Sequence, residues 1–531
     1  MSALILLFAF VAGLISRRIG YPPLLGYLAA GFVCASMHVG DVNMLEPFAA
    51  FGITMLLFTI GLKLRLPILA KPYISGAAIL HMLLVIPLTA AVIMFAGYYY
   101  PPLSFDSSVA PWTLAFALSF SSTVFAIKMF DERGENNSFH AAIAVGVLVI
   151  QDVLAVVYLV VASGNVPSLW TVALLLIPVI AVFRRKQLAD LLAVVGHGEL
   201  QLLLGVLFAL GAYEIFELLQ LKGGLGALLA GALIGYVDEG RATEFYNRLV
   251  SLKNLFLIAF FLQIGYYGLP SFTMMVVAVL LLLLLILRPV IYFALFTLMR
   301  LRSRTATLAG IGLSTYSEFG LIVAAIAANE GVISNEWLVT LALAIALSFV
   351  VATPVNKTVH AFYRKWSERL KPYEKKRLPE EEIEQLGDAD IVVLGMGRIG
   401  FGAYQFLQQQ YGDRVVGVEE RYSRAVELRE QGVNCVHGDA SDRDFWEETG
   451  LARRQLILAS LSNHRENLLV VSLAKGLGFN QQLAITARFE DERQELEKLG
   501  CITFNVYADV GRGFAEDVVA GVELTLNKQN A

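Results

Sequence analysis

AAIAVGVLVIQDVLAVVYLVVA, residues 141–162, is the stretch on which the reading of this chain turns. It is apolar from end to end apart from Gln151 and Asp152 at its middle. A run of this length crosses a bilayer as a helix. A carboxylate at the midpoint of such a helix costs about 3 kcal/mol on insertion scales, so Asp152 marks a functional site, of the kind found on ion or proton paths.

The same apolar character extends outward over most of the chain. The 531 residues are 57% hydrophobic and only 16% charged, with a mean hydropathy of +0.64. A soluble protein carries about 25% charged residues. The deficit lies in residues 1–357, which alternate apolar stretches with short loops, whereas the chain from 358 onward has ordinary soluble composition. Three parts are expected: a transmembrane part (1–357), a polar, mixed-charge linker (358–388) and an α/β part (389–531). Net charge is −4, and no strongly basic domain points to nucleic acid. Cys34, Cys435 and Cys501 form no CxxC pair or Cys/His cluster, so neither a zinc site nor a disulfide framework is implied. At the N-terminus, Arg17 and Arg18 follow the first apolar segment, the reverse of a signal peptide.

About thirteen apolar segments reach spanning or near-spanning length: 2–17, 22–37, 47–62, 72–95, 110–129, 139–163, 168–184, 199–217, 221–237, 251–268, 271–299, 305–329 and 334–356. The exits of the odd-numbered spans carry Arg17/Arg18, Lys63/Arg65, Lys128/Arg133, Arg184/Arg185/Lys186, Arg241/Arg248 and Arg300/Arg302/Arg304. The alternate loops are nearly free of Lys and Arg, with Lys222 the exception. The positive-inside rule then puts the N-terminus outside and the C-terminal part in the cytosol.

An internal repeat runs through these spans. Leu25-Gly-Tyr-Leu-Ala-Ala-Gly31 in span two resembles Leu225-Gly-Ala-Leu-Leu-Ala-Gly231 in span nine. Phe58-Thr-Ile-Gly61 in span three pairs with Leu262-Gln-Ile-Gly265 in span ten, and Ser121-Ser-Thr-Val-Phe125 in span five echoes Tyr316-Ser-Glu-Phe319 in span twelve. Each pair is seven spans apart, and an odd offset means that the halves run in opposite directions, as in inverted-repeat secondary transporters. Such folds build their substrate site near the midplane from discontinuous helices, here spans five and twelve. The clusters Ser119-Phe-Ser121-Ser122-Thr123 and Ser314-Thr-Tyr-Ser317-Glu318 supply hydroxyls there. Hydroxyls and unwound carbonyls suit a dehydrated alkali cation; the plainer alternative is that these Ser and Thr bond back to their own helices.

Three ionisable residues are predicted at depth: Asp152, Glu318 and Arg288. A proton and a cation competing for Asp152 is the core of an antiport mechanism, and one carboxylate in the Gln151-Asp152 pair argues for one-for-one, electroneutral exchange. Arg288, in LLLLILRPVIYF, is expected to be a fixed counter-charge to Asp152 or Glu318, with snorkelling as the alternative. Glu318 is a ligand, a stabiliser of the helix break or a partner of Arg288. Pro289 is expected to kink span eleven.

After the linker, Ile391-Val-Val-Leu394 reads as a buried strand running into Gly395-Met396-Gly397-Arg398-Ile399-Gly400 and a helix. A second strand ends at Glu419, about 20 residues on, as a dinucleotide-binding βαβ unit requires. Gly395 allows the tight turn, Gly397 the approach of phosphate, and Gly400 helix–strand packing, while Glu419 is placed for ribose hydroxyls. Further strands are expected near 433–436, 455–459, 483–487 and 502–505, with Asp439 and Ala440 on a loop that reaches adenine. AMP and NAD(H) both satisfy this fingerprint. No substrate domain accompanies it, so the chain reads as a transporter whose nucleotide regulates it, not as an enzyme.

These residues together resemble a Kef-type member of the type-2 monovalent cation:proton antiporters. The resemblance rests on Ser121-Ser122-Thr123, Gln151-Asp152, Ser317-Glu318-Phe319 and the nucleotide-binding domain after span thirteen. It implies an NhaA-like antiporter fold of about thirteen helices with a C-terminal Rossmann-like domain of the potassium-conductance-regulating, or TrkA N-terminal, type. It implies a homodimer through both parts, in a bacterial inner membrane, and a core domain that moves as an elevator. The cargo it implies is K⁺ (Na⁺ as the alternative) exchanged for H⁺ with Asp152 as the ion-binding carboxylate, and members can carry an ancillary regulatory subunit. Arg488, in Ile-Thr-Ala-Arg, matches a position that faces the partner domain or ligand. The glycine pair familiar before the span-twelve glutamate reads Tyr316-Ser317 here. A nucleotide-gated channel is the competing class, but no TVGYG-like filter is present. A membrane-anchored nucleotide sensor without transport is opposed by Asp152, Arg288 and the repeat.

Overall fold

The computed structural model describes residues 1–531 except 1–2, 64–70, 100–104, 106, 134, 136–137, 163–183, 197, 220–222, 462 and 522–531. The chain divides into two units: residues 1–129 with 143–374, and residues 130–142 with 375–531.

In the first, helical unit, helices occupy twelve of the thirteen expected spans, and the seventh (168–184) lies almost wholly outside the described residues. They are α1 (Ala3–Arg18), α2 (Pro23–Ser36), α3 (Glu46–Leu62), α4 (Pro72–Tyr99), α5 (Ala110–Ser119), α6 (Thr123–Arg133), α7 (Phe139–Ala162), α8 (Arg185–Val194), α9 (Glu199–Leu218), α10 (Gly223–Val237), α11 (Glu239–Tyr266), α12 (Phe272–Leu284), α13 (Leu287–Leu298), α14 (Ser303–Gly312), α15 (Glu318–Asn329), α16 (Asn335–Lys357) and α17 (Val359–Leu370). Six helical stretches among the described residues are long and apolar enough to cross a membrane, and five more are shorter apolar helices. Leu83 on α4, Leu207 on α9 and Leu283 on α12 are exposed, as on helices solvated by lipid. The interior holds large buried aromatics, among them Phe120, Tyr292, Tyr316 and Trp337.

The repeat is visible in how glycines let helices touch. A Cβ on Gly31 of α2 would overlap the Leu262 carbonyl of α11 and crowd Gly265. A Cβ on Gly61 of α3 would overlap the Leu228 carbonyl of α10 and crowd Gly231. Gly31 and Gly231 are repeat mates, as are Gly61 and Gly265, so the α2–α11 and α3–α10 crossings are the two copies of one contact, as a pseudo-two-fold axis requires. The same holds one span earlier: Gly26 packs on the Ala12 carbonyl of α1, and Gly226 on the Ala212 carbonyl of α9. Without glycine, backbones cannot approach this closely.

Three spans are interrupted. Span five breaks between α5 and α6, span twelve between α14 and α15, and span eleven at Leu285–Ile286. The last break lies one turn before Pro289, whose missing N–H leaves the Leu285 carbonyl without its helical donor. The Arg288 N–H instead donates to Leu285 O at 3.2 Å.

The linker divides at 374/375. α17 stays with the helical unit because Tyr363 and Glu374 both reach Ser303: the two hydroxyls lie 3.0 Å apart, and Ser303 Oγ donates to Glu374 Oε1 at 2.6 Å.

The second unit contains a six-stranded parallel sheet in the order β3-β2-β1-β4-β5-β6. Its strands are β1 (Ile391–Leu394), β2 (Val415–Glu419), β3 (Cys435–His437), β4 (Leu456–Ala459), β5 (Gln482–Ala487) and β6 (Ile502–Asn505). β1 and β2 are buried throughout, as strands covered on both faces must be. The strand order reverses between β1 and β4, and the crevice at such a switch point is where nucleotides bind.

Candidate functional site

The interrupted spans five and twelve meet. Gly320 on α15 sits against the Ala117 carbonyl of α5, where any Cβ would overlap. Phe120, at the end of α5, is extended (φ −74, ψ 147). Ser317, at the start of α15, is also extended (φ −104, ψ 144), and its hydroxyl accepts from the Phe319 N–H at 3.1 Å. The polar clusters divide their work. Ser119 Oγ donates to Phe116 O at 2.7 Å and Ser314 Oγ to Gly310 O at 2.6 Å, both within their own helices. Ser122 instead reaches across: its N–H donates to Thr315 Oγ1 at 3.3 Å and its hydroxyl to Glu318 Oε2 at 2.7 Å.

The next residue along, Thr123, donates its hydroxyl to Asp152 Oδ2 at 3.1 Å. Gln151 Oε1 accepts from the Ser121 N–H at 2.9 Å, and Gln151 Nε2 donates to Tyr292 Oη at 3.0 Å. Gln151 and Asp152 thus hold the first residues after the break in span five. Asp152 is 1% exposed and Glu318 3%. Among the described residues Asp152 Oδ1 and Glu318 Oε1 are buried with no hydrogen-bond partner. Buried oxygens of this kind are costly unless something occupies them. Two carboxylate oxygens flanked by hydroxyls are a hard-oxygen set suited to an alkali cation or a proton.

Arg288 corrects the expectation of a counter-charge. It is 2% exposed, yet it pairs with neither Asp152 nor Glu318. Its Nη1 donates to Phe120 O at 3.2 Å and Thr315 O at 2.7 Å, and its Nη2 donates to Leu118 O. The guanidinium lies 4.7 Å from the Tyr316 ring centroid. These three bonds satisfy carbonyls freed at both helix breaks, which an unwound membrane segment must have. Tyr292, one turn after Arg288, is a site residue that sequence reasoning did not single out, whereas Thr315, within the 314–318 cluster, contributes both its hydroxyl and its carbonyl. His81 stacks on Tyr292 at 3.9 Å.

In the α/β unit, the helix after β1 is α18 (Arg398–Tyr411), with Gly397 at its N-cap. Gly395 has φ +87, a conformation that side chains disfavour. Gly400 packs on the Gly395 carbonyl, while nothing lies within 4 Å of a Cβ built on Gly397, leaving that face open. A cavity of about 290 Å³ opens here, lined by Gly395, Gly397, Glu419, Asp439 and Ala440 among the predicted residues. Glu419 accepts from the Arg421 N–H at 3.1 Å, and Asp439 from the Ser441 hydroxyl at 2.6 Å. Met396, Arg398, Ile399 and Arg488 do not line it. Met396 is buried against Gly417, and Ile399 is 41% exposed. The Arg488 N–H donates to Glu492 at the start of the next helix. Ser460, Glu466, Arg133 and Glu135 line the cavity without having been predicted. Glu466, on α19 (His464–Gly476), has its carboxyl pushed up to about 7, first by burial and then by Asp439 and Glu135.

Residues 5–359 match the family described as sodium/hydrogen exchanger, transmembrane, and residues 391–506 match the TrkA-N domain. The chain belongs to the sodium/hydrogen exchanger family. This exchanger is 26% identical over 513 residues to the glutathione-regulated potassium-efflux system protein KefC of Salmonella schwarzengrund (strain CVM19633), across 92% of this chain and 79% of that one. Among solved structures, the exchanger is similar to the sodium proton antiporter MjNhaP1 of Methanocaldococcus jannaschii (12% identity, TM-score 0.46, 67% of this chain and 96% of that one). It is also similar to the TrkA-N domain of the inner membrane protein ybaL of Escherichia coli (20% identity, TM-score 0.23, 25% of this chain and 96% of that one). The exchanger is a multi-pass membrane transporter with a C-terminal Rossmann-like TrkA-N domain, and not an enzyme.

Proposed function

We propose that the chain is an electroneutral K⁺/H⁺ antiporter whose TrkA-N domain binds an adenine nucleotide, AMP or NAD(H), that regulates exchange. The observation that carries the transport reading is the pair of buried, unpartnered oxygens, Asp152 Oδ1 and Glu318 Oε1, beside the crossing of two interrupted helices. Ser121, Ser122, Thr123, Gln151 and Ser317 order the backbone and donors around them. A cation or a proton neutralises Asp152, so each excludes the other. K⁺ as cargo is supported by the similarity to KefC proteins. Na⁺ is the second reading, favoured by the family match itself.

The transport cycle is elevator-like. The glycine-packed helices α2, α3, α10 and α11 form a close-packed layer, and the crossing helices pack on α4 and α16 and are hydrogen-bonded to α7, so the latter set is the moving body. Loop charge supports an inner-membrane orientation with the N-terminus outside and the TrkA-N domain in the cytosol. The working assembly is a homodimer through both parts, open to an ancillary regulatory subunit.

Purified protein in proteoliposomes, given an outward K⁺ or Na⁺ gradient, tests the transport reading. Inward proton movement driven by K⁺ and insensitive to a clamped membrane potential is the expected result. Proton movement that follows the imposed potential would refute one-for-one exchange, and a response to Na⁺ alone would select the second reading.

A further inference from the structure

The nucleotide cavity is not built by residues 375–531 alone. Arg133 and Glu135 line it, and they come from the short connection between α6 and α7. α6 begins at Thr123 and ends at Arg133, while α7 begins at Phe139 and carries Gln151 and Asp152. This connection belongs to the same unit as the Rossmann sheet.

Arg133 Nη2 lies 2.9 Å from Glu135 Oε2, and the same oxygen is 2.9 Å from His140 Nε2. All three side chains are enclosed, at 10%, 5% and 2% exposure. Most of the other charged lining residues are anionic: Glu419, Glu420, Asp439 and Glu466 all face the cavity. Its other cation, Arg421, is 62% exposed and turned to Glu419. The backbone N–H groups at the start of α18 supply partial positive charge for one phosphate. A phosphate in so acidic a cavity also needs a full, enclosed cation, and among the described lining residues that cation is Arg133.

On the reading that an adenine nucleotide occupies this cavity, we infer that Arg133 is a phosphate-binding residue of the site, exchanged between Glu135 when the ligand is absent and the ligand phosphate when it is bound. The transfer releases Glu135 from the end of α6 and leaves it to His140 at the start of α7. Occupancy is thereby registered at the connection between the two helices that carry Thr123 and Asp152.

The test is calorimetric titration of the full-length protein in detergent with AMP and with adenosine, which lacks the phosphate. Arg133→Ala is expected to weaken AMP about tenfold or more, the loss of one charge-assisted contact, and to leave adenosine binding unchanged. Arg133→Lys recovers part of the AMP affinity, and Glu135→Gln binds AMP more tightly than the parent because a negative charge 2.9 Å from Arg133 is removed. AMP binding unaltered by Arg133→Ala, or equal losses for AMP and adenosine, would overturn the phosphate role while leaving nucleotide regulation intact. A parent protein that binds AMP, NAD⁺ and NADH not at all would overturn both.

Discussion

The Thr123 hydroxyl donates to Asp152 Oδ2 at 3.1 Å, joining the first residue of α6 to the middle of α7. The interrupted helix therefore positions the carboxylate that the sequence marks at the centre of a span. Thr123→Val keeps the shape and removes the donor. A hydrogen bond to a charged group is worth about 1.5–3 kcal/mol. The apparent cation affinity is expected to fall about tenfold, read as a rise in KM for exchange in proteoliposomes.

Arg288 holds the carbonyls of Leu118, Phe120 and Thr315. Arg288→Ala leaves these buried acceptors unsatisfied, at about 1–3 kcal/mol each. A loss of at least about 3 kcal/mol is expected. Lys does not replace it, since one ammonium cannot match the planar fork. Thermal unfolding in detergent checks both, with the variants melting well below the parent.

Much of this site was legible because membrane physics makes polar residues conspicuous. Gln151-Asp152 stood out in an apolar run, and the Ser/Thr clusters at 119–123 and 314–318 marked both helix breaks. The partners of Arg288 were not legible: backbone carbonyls leave no signature, and a buried cation suggests a carboxylate first. In the α/β unit the glycine spacing located the cavity. Met396 and Ile399 share that motif, but Met396 is buried against Gly417 and Ile399 is 41% exposed outside the cavity lining. Arg133 and Glu135 lie more than 250 residues before the fingerprint, and nothing local links them to it.

The paired glycine crossings make the repeat testable as a packing motif. Gly61→Ala places a Cβ into the Leu228 carbonyl, and Gly265→Ala into the backbone of Gly31. Overpacking of this kind costs about 1–3 kcal/mol, so both are expected to lower the melting temperature by similar amounts. Gly211→Ala, with nothing within 4 Å, is the matched control and is expected to melt with the parent.

Glu466 gives the α/β unit a pH dependence. Its carboxyl is raised to about 7 by burial, Asp439 and Glu135, from 4.5 in the unfolded chain. Between these values the folded state binds more protons than the unfolded one, so stability falls as pH rises from about 4.5 to about 7 and is flat above. An anionic ligand should bind more tightly as pH drops through about 7, when Glu466 becomes neutral. Glu466→Gln is expected to flatten both profiles, followed by melting and by AMP titration across pH 5.5 to 8.

In the proposed cycle H⁺ and the cation compete for Asp152. Cation-driven proton movement in proteoliposomes reconstituted with Asp152→Asn at matched protein density, with correct folding checked by size-exclusion profile, tests this competition. Loss of coupled exchange for both K⁺ and Na⁺ in a well-folded variant is the predicted result. Coupled exchange retained at the parental rate would rule out Asp152 as the shared site.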